Sequence, residues 1–399
     1  MSEELPARIA VVHDWLVDYA GSERVLAEIL RCLPQADLYT LVDRMPAAQR
    51  APLGGRVAHT SFLQHMPGIA KHLAWYLPLM PVAIEQFDLT GYPLVISSSH
   101  AVAKGVIVAP DALHLSYVHS PMRYAWDQQF EYLRAENAQG GLKGLLLRGL
   151  LHRLRVWDHR SSAGVDHYAA NSVFVAQRIV KAYRRESEVI HPPVDIETYV
   201  PGNGRENARE DYYIAVSRLV GYKRVDLLVQ AFRELPERRL LVVGEGPELA
   251  KLRAGAPANI EFAGHLPQAQ LLDRLQRARA FLFAGVEDFG IALVEAMACG
   301  TPVIALRRGG GAETVAGLDA AEPTGVFFEE QSAAAVAAAV REFERQAGRI
   351  TAAACRRRAE GYGAPRFRTE FMAFVMRRVG EWRVSARIGA GMATETRER

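Results

Sequence analysis

Residues 287–305 read EDFGIALVEAMACGTPVIA, and this stretch decides the fold. A loop carrying two carboxylates leads to Gly290, and the apolar spacing that follows predicts a helix over residues 291–298. A Gly-Thr-Pro sequence then stops the helix, because proline cannot continue it. The apolar run at residues 302–305 is a buried strand. Loop, helix, stop and strand in this order make one repeat of an α/β sheet.

Short apolar runs and helical patterns alternate on both sides of this stretch. Alternating strands and helices form parallel sheets that are covered on both faces. Two separate series of them predict the fold class α/β, with two Rossmann-like, doubly wound domains facing a cleft. The predicted strands are residues 8–12, 94–97, 105–108, 114–118 and 167–170 in the first series, and 213–216, 239–243, 260–263, 280–283 and 302–305 in the second.

Proline and glycine mark the division of the chain, because Pro192-Pro193 and the later Pro201-Gly202 interrupt any helix or central strand. The interdomain break is expected between residues 196 and 210. Apolar residues at helical spacing near the end of the chain predict a final amphipathic helix. The predicted domains are an N-terminal domain over 1–200, a second domain over 207–365, a helix over 366–385 that packs back on the first domain, and a frayed tail over 386–399.

Composition and charge exclude several classes of protein. Lys and Arg number 48 against 45 Asp and Glu, a formal charge of +3, which lacks the basic excess of a nucleic-acid-binding protein. The three cysteines, Cys32, Cys299 and Cys355, fit neither a disulfide framework nor metal-ligand spacing. The N-terminus has acids where a secretory signal needs bases, and no apolar run reaches the roughly 18 residues of a membrane span. We therefore expect a cytoplasmic protein.

The opening stretch resembles the retaining glycosyltransferases of the GT-B fold (group 1), a family typified by sucrose synthases and bacterial mannosyltransferases. The family signature is two glutamates separated by seven residues, which Glu287 and Glu295 match. The resemblance implies that Glu287 and the amides of Phe289, Gly290 and Ile291 hold the sugar of a nucleotide-sugar donor, and that Glu295 holds the ribose. Amides at a helix N-terminus suit oxygen-rich or anionic ligands. The alternative is that Glu287 caps the helix and Glu295 is solvated.

Two cations follow the first strand of the second domain, in the segment SRLVGYKR (residues 217–224). Arg218 and Lys223 match the family's pair that grips the diphosphate, where fixed positive charge stabilises a departing nucleotide. A solvated basic turn is the alternative. The resemblance implies neither a divalent metal nor a cofactor, because the nucleotide sugar is a substrate. The sequence also has no Asp-x-Asp cluster.

Three more positions match the family. Gly21 lies where a loop meets a helix, and it matches the second residue of a glycine pair that approaches the donor phosphates in the family. This chain has Ala20 at the first position of the pair, and alanine tolerates positive φ poorly. A plain tight turn is the alternative. His119, in YVHSPMRYAWD, matches a histidine that touches the donor sugar and is the catalytic candidate of the first domain; a structural histidine is the alternative. Leu266 matches a loop that holds the nucleobase.

Asp14 either orients the acceptor or a loop, or caps a helix.

Residues 142–157 (LKGLLLRGLLHRLRVW) are apolar and basic and contain no acid. They form either a peripheral contact with the anionic inner face of the plasma membrane or a buried helix with snorkelling bases. The Glu-Asp-Phe-Gly and His-Ser-Pro-Met-Arg variants look most like bacterial surface-polysaccharide mannosyltransferases. The resemblance thus favours GDP-mannose as donor, and a glycan or lipid-linked acceptor of polysaccharide or lipopolysaccharide biosynthesis.

The expected activity is therefore that of a retaining, metal-independent hexosyltransferase. One alternative is a nucleotide-sugar 2-epimerase of the GT-B fold, which converts the donor without any acceptor. The other is a non-catalytic subunit that binds a sugar nucleotide, for which the alanine at position 20 is the supporting feature.

Overall fold

The computed structural model describes residues 4–202 and 209–395, with side chains given through residue 385. The chain forms two compact units. The first unit comprises Met1–His191 and Pro365–Arg399, and the second comprises Pro192–Ala364. The division falls at the Pro192-Pro193 pair, ahead of the break expected between 196 and 210. Residues 203–208 of that expected break lie outside the described residues.

Seven parallel strands form the sheet of the first unit within the described residues. They are β1 (Ile9–His13), β2 (Asp37–Thr40), β3 (His59–Thr60), β4 (Leu94–Ser99), β5 (Leu113–Val118), β6 (His167–Ala170) and β7 (Glu188–Val189). Their order is β3-β2-β1-β4-β5-β6-β7. Strands β1, β4 and β5 are buried along their whole length, which explains their unbroken apolar or small-residue sequences.

Helices cover both faces of this sheet, as a parallel sheet requires. They are α1 (Gly21–Cys32), α2 (Ile69–His72), α3 (Met80–Glu85), α4 (Gln129–Ala135), α5 (Gly141–Ser161) and α6 (Val173–Tyr183). Alternate residues of β1 point to opposite faces. Ile9 and Val11 accordingly belong to the core that contains α1, and Ala10 and Val12 to the core that contains parts of α3 and α5. Ser172 caps α6 by accepting the amide of Val175, as its sequence predicts.

Six parallel strands form the sheet of the second unit within the described residues. They are β8 (Tyr212–Val216), β9 (Arg239–Val243), β10 (Ile260–Gly264), β11 (Phe281–Phe283), β12 (Val303–Leu306) and β13 (Gly325–Phe328). Their order is β10-β9-β8-β11-β12-β13. The helices of this unit are α7 (Val225–Arg233), α8 (Leu249–Ala254), α9 (Gln268–Arg277), α10 (Ile291–Ala298), α11 (Gly310–Thr314), α12 (Ala333–Gln346) and α13 (Ala352–Glu360). A single hydrophobic core unites these elements.

The last helix, α14 (Ala364–Glu395), carries the apolar spacing that the sequence shows near its end. Phe367, Phe371 and Phe374 are at most 1% exposed and lie in the core that contains Ile9 and Val11 of the first unit. The helix continues past residue 385, where the sequence predicted its end. Residues 396–399 of the predicted tail lie outside the described residues.

The prediction of an α/β protein with two Rossmann-like domains is confirmed, but some strand predictions are wrong. Residues 105–108 do not form a strand; Ala103–Gly105 is a 3-10 turn. Gly105 packs against the Trp157 ring so closely that a Cβ there would lie 2.4 Å from it. Gly105 is therefore buried by a helix side chain and not by strand pairing, while Ile107 is 63% exposed. The sequence also missed β2, the two-residue strands β3 and β7, and β13, which extends the second sheet beyond β12.

Among the described residues, every helix is too short or too polar to cross a bilayer.

Candidate functional site

The strand order reverses once in each sheet. In the first unit the reversal lies between β1 and β4, and in the second between β8 and β11. All strands in each sheet are parallel, so the loops that follow them meet at one edge, the carboxyl edge. Open α/β sheets bind ligands at the carboxyl edge, in the crevice where the order reverses.

Two predicted site residues meet at the reversal in the second unit. Lys223 lies in the turn after β8, Glu287 lies in the loop after β11, and the lysine Nζ forms an ion pair with the glutamate Oε1. Gly285 makes this approach possible, because a Cβ there would lie 3.0 Å from the Lys223 Cα and from the Tyr222 carbonyl oxygen. The two side chains are 16% and 15% exposed, so a ligand at the edge can still reach them.

The start of α10 lies directly beside this ion pair. Gly290 is the N-cap residue, with a φ of +87° that L side chains rarely adopt. Phe289 is buried against the Tyr362 ring, with a centroid distance of 5.4 Å. This packing fixes the loop while the first-turn amides, including that of Ile291, remain without intrahelical acceptors. Glu295 lies on the second turn of the same helix and is half-buried.

A glycine-rich loop supports the Glu287 segment from behind. The Gly310 amide donates to the Glu287 carbonyl oxygen at 2.8 Å. A Cβ at Gly309 would lie 2.3 Å from that carbonyl oxygen, and one at Gly310 would lie 2.0 Å from the Phe289 carbonyl oxygen. Only glycine fits these contacts. This loop follows β12 and precedes β13.

Arg218 and Leu266 lie in neighbouring loops of the same edge. Arg218 is exposed and has no side-chain partner among the described residues. Its loop fits against a second glycine loop, since a Cβ at Gly244 would lie 2.0 Å from the Ser217 carbonyl oxygen. The Gly244 amide in turn donates to the Gly264 carbonyl oxygen at 2.7 Å, two residues before the half-buried Leu266. The Gly-Glu-Gly-Pro loop at residues 244–247 thus connects the loops of Arg218 and Leu266.

The first unit gathers a different set of side chains at its reversal point. The His119 Nε2 lies 2.8 Å from the Ser98 Oγ, and the His13 Nδ1 lies 3.1 Å from the same hydroxyl. The His13 Nε2 faces the Glu23 Oε1 at 3.4 Å. Burial lowers the pKa of His119 to about 3, and the nearby His100 and His13 add to the effect, so His119 is neutral at neutral pH. The sequence pointed to His119 but missed Glu23 and Ser98.

Gly21 begins α1, and Ala20 is its N-cap residue. Ala20 has a φ of −117°, an extended conformation that alanine adopts without strain, so the expected conflict with positive φ is wrong. The Ala20 amide donates to the Glu23 Oε2 at 3.1 Å. This is half of a capping box and ties the helix start to Glu23.

Asp14 orients a loop and does not cap α1. Its carboxylate accepts the amides of four successive residues after β4, at positions 100–103, at 2.6 to 3.0 Å. Burial alone would raise the pKa of Asp14, but the charges of His100 and His13 and these backbone hydrogen bonds lower it below 3.8. The four hydrogen bonds favour the loop-orienting interpretation over the helix cap.

Within the described residues, no group of three or more His, Cys, Asp or Glu side chains has the arrangement of a metal site.

Comparison with solved structures identifies the class of fold. The chain superposes on Anabaena Alr3699/HepE in complex with UDP and glucose with a TM-score of 0.66, covering 92% of this chain and 98% of that one at 16% identity. It superposes on the sucrose-phosphate synthase of Thermosynechococcus elongatus with a TM-score of 0.67, covering 93% and 98% at 18% identity. The two-unit architecture is the GT-B fold.

Comparison of sequences finds a matching family model and relatives that share part of this chain. Residues 201–361 match the family described as "Glycosyl transferases group 1". A D-inositol 3-phosphate glycosyltransferase of Mycobacterium sp. (strain KMS) is 32% identical over 169 residues, or 36% of this chain and 38% of the relative. A GDP-mannose-dependent alpha-(1-6)-phosphatidylinositol monomannoside mannosyltransferase of Mycolicibacterium smegmatis is 33% identical over 171 residues, or 36% and 45%. The matches thus span less than half the length of these two relatives.

Proposed function

We propose that this protein is a glycosyltransferase that transfers a hexose from a nucleotide-diphosphate sugar with retention of anomeric configuration. The observation that carries the proposal is the Lys223–Glu287 pair at the strand-order reversal of the second sheet, beside the α10 N-terminus. A cation, a carboxylate and helix-end amides at one edge suit the two halves of such a donor, an anionic diphosphate and a polyhydroxylated sugar. The match of residues 201–361 to group 1 glycosyl transferases supports the same interpretation.

The roles of the second-unit residues follow from their chemistry. Arg218 and Lys223 bind the diphosphate and stabilise the negative charge that builds on it as the glycosidic bond breaks. Glu287 and the amides of Phe289, Gly290 and Ile291 bind the sugar hydroxyls. In this proposal Glu295 binds the ribose hydroxyls, and the loop of Leu266 contacts the base.

The first unit supplies the acceptor side in this proposal. His119 contacts the transferred sugar, and the amides near Gly21 approach the donor phosphates. Retention follows from attack on the face that the diphosphate leaves, with the departing phosphate taking the acceptor proton. The charges of Arg218 and Lys223 then do the work that a divalent metal does in other transferases, so we propose a metal-independent reaction without a cofactor.

GDP-mannose is the proposed donor, and the sugar is transferred to a glycan or lipid-linked acceptor of surface-polysaccharide assembly on the cytoplasmic side of the membrane. The Mycolicibacterium smegmatis relative, which is named as a GDP-mannose-dependent mannosyltransferase, supports this choice. A ligand that binds only the folded state raises apparent stability by mass action. A thermal-shift screen of GDP-, UDP- and ADP-sugars therefore tests the donor, and a larger shift with a UDP-sugar than with GDP-mannose would contradict it.

Transfer itself is tested with a radiolabelled donor and a lipid-linked glycan acceptor. We expect Glu287→Gln to abolish most transfer, while the exposed Glu330→Gln on the same unit does not. Donor isomerised at C2 without acceptor would instead indicate the 2-epimerase. Donor binding without turnover in wild type would indicate the non-catalytic subunit.

Helix α5 supports a peripheral membrane contact. Leu142, Leu145 and Leu146 are 71%, 67% and 65% exposed, and Lys143 and Arg153 are exposed on the same helix. The opposite side of α5 is buried, so the buried-helix alternative holds for one face only. Exposed leucines beside cations bind anionic lipid surfaces.

Co-sedimentation with anionic vesicles tests this contact. The double substitution Leu145→Ser/Leu146→Ser should release the protein from the vesicles. The control is Val173→Ser/Val180→Ser, which changes two exposed apolar residues of α6 in the same unit. Equal sedimentation of both variants would contradict the membrane contact.

A further inference from the structure

Four polar side chains of the first unit form a continuous chain, the first-unit relay: Glu23, His13, Ser98 and His119. Glu23 lies in α1, and the sheet register places His13 at the end of β1 opposite Ser98 of β4. His13 and Ser98 are fully buried, while Glu23 is 4% and His119 is 9% exposed. The relay thus runs from the inside of the unit to one ring that a ligand can touch.

The first half of the relay fixes the hydrogen on the His13 Nδ1. Burial alone would raise the pKa of Glu23, but the hydrogen bond from His13 and the charges of His13 and His100 lower it to about 2, so Glu23 is ionised. An ionised carboxylate can only accept, and so can a backbone carbonyl. The His13 Nε2 faces the Glu23 Oε1 at 3.4 Å, and its Nδ1 faces the Ser98 carbonyl oxygen at 3.2 Å. Because the carbonyl oxygen can only accept, the His13 Nδ1 is the donor on this side of the ring.

The second half of the relay fixes the hydrogen of His119. The Ser98 Oγ lies 3.1 Å from the His13 Nδ1, whose hydrogen it can only accept. The serine hydrogen is then available to the His119 Nε2 at 2.8 Å. His119 is neutral, so a ring that accepts at Nε2 has its hydrogen on Nδ1. The described residues provide no hydrogen-bond partner for the Nδ1 atom, and His119 is 9% exposed.

We propose that Glu23, His13 and Ser98 are positioning residues that hold the His119 ring as its Nδ1–H tautomer, so that His119 donates a hydrogen bond to a carbohydrate hydroxyl oxygen. The identity of the ligand rests on the proposed function, whereas the proton placement rests on first-unit geometry alone. A separate hydrogen bond fixes the backbone of His119: the Asn171 Nδ2 donates to the His119 carbonyl oxygen at 2.9 Å.

Other titratable groups surround the relay and act on the pKa of His119 in both directions. Asp14 follows β1, and its lowered pKa keeps it negative. His100 follows β4; burial lowers its pKa, and although the charge of Asp14 raises it, His13 and Arg123 lower it further. The His13, His100 and His119 rings lie 6.0 to 6.4 Å apart, so a charge on one opposes a charge on the next. Burial of the ring lowers the pKa of His119 and outweighs the charges of Glu23 and Asp14, which raise it, so His119 stays neutral.

The tautomer can be measured directly by nuclear magnetic resonance on protein labelled with ¹⁵N-histidine. Long-range ¹H–¹⁵N correlations distinguish a protonated ring nitrogen from a bare one, and the signals lost in His119→Asn assign that ring. We expect hydrogen on Nδ1 in wild type, and loss of this single tautomer in Ser98→Ala. Hydrogen on Nε2 in wild type, or an unchanged tautomer in Ser98→Ala, would overturn the proposal.

The adjacent residue provides a matched control. The Ser97 Oγ bonds the His114 Nε2 at 3.0 Å, and the His114 Nδ1 faces the Gly164 carbonyl oxygen at 3.1 Å. Ser97→Ala should therefore alter the His114 signals and leave those of His119 unchanged. Ser98→Thr retains a hydroxyl and should retain the wild-type tautomer. If neither Ser98 variant folds, the wild-type spectrum alone decides.

Kinetics test the use of the relay. Loss of one neutral hydrogen bond lowers a rate by about 2- to 10-fold. Ser98→Ala should lower kcat for transfer by this factor, and Ser97→Ala should not. An equal kcat in Ser98→Ala and wild type would show that the Nδ1 hydrogen does not act on the ligand. If the protein transfers no sugar, the proposed function fails, and the tautomer measurement still decides the positioning role.

Discussion

The Lys223–Glu287 ion pair predicts that one substitution, Glu287→Gln, separates nucleotide binding from sugar transfer. In the absence of ligand the glutamate neutralises the lysine that we assign to the diphosphate. Glutamine keeps the size of glutamate, removes its charge and replaces one acceptor oxygen with an NH2 donor. The substitution should therefore make Lys223 a better partner for a nucleoside diphosphate while weakening the hold on the sugar.

The exposure of the pair sets the magnitude. Two unit charges about 4 Å apart attract by roughly 4 kcal/mol at an effective dielectric of about 20. Solvent screening and desolvation reduce the net worth of a partly exposed pair to about 1 kcal/mol or less. Affinity for free GDP or UDP should thus rise by up to about fivefold. Transfer should fall by about 10²- to 10³-fold, the loss expected for one preorganised transition-state contact.

Isothermal titration with GDP and UDP measures the first quantity, and single-turnover transfer measures the second. Glu330→Gln removes the same charge from an exposed site of the same unit and should change neither. A fall in nucleotide affinity that parallels the fall in transfer would refute the reasoning. Glu287 would then hold the nucleotide or the loop, and not the sugar.

Three further substitutions test the supporting structure. Gly310→Ala should weaken binding of the nucleotide sugar in titrations, because its Cβ would lie 2.0 Å from the Phe289 carbonyl oxygen and displace the loop at a cost of about 1–3 kcal/mol. Lys104→Met should destabilise the first unit by about 3–5 kcal/mol in urea unfolding followed by tryptophan fluorescence, because it leaves buried Asp158, now 2.6 Å from the lysine Nζ, without its cation. The ionised Glu23 contributes at most about 3 kcal/mol to the free energy of unfolding above its unfolded pKa near 4.5, and this contribution is lost as the pH falls toward 2. In Glu23→Gln the free energy of unfolding should therefore depend less steeply on pH in that range.

The arrangement of the second-unit candidate residues was predictable, because they are close in sequence or follow strands that are neighbours in the sheet. Glu287, Phe289 and Gly290 are neighbours in one loop, and Lys223 follows the strand beside theirs in the sheet. A pattern of turns and helices therefore places them at one edge before any coordinate is known. The pattern could not predict the contact between Lys223 and Glu287, because this contact depends on the absence of a Cβ at Gly285.

The first-unit relay was not predictable in the same way. Glu23, His13 and Ser98 come from three elements, and Ser98 lies in a run of serines whose members differ only by the face to which they point. The register of β1 against β4 selects Ser98 as the partner of His13. Register depends on tertiary packing, so the sequence alone left His119 as an isolated motif residue.

The second unit has an exposed cation at the carboxyl edge of its sheet, whereas the first unit has the buried relay at the carboxyl edge of its own. Changing the ionic strength should therefore affect the two differently. Arg218 is exposed, and among the described residues no acid pairs with it. Attraction between exposed charges is screened over about 10 Å at 0.1 M salt. The dissociation constant for GDP should therefore rise several-fold between about 50 and 500 mM NaCl, and Arg218→Ala should flatten this dependence. The relay is buried, so the His119 tautomer should not change over the same range. A salt dependence that is equally steep in Arg218→Ala would mean that other cations bind the diphosphate.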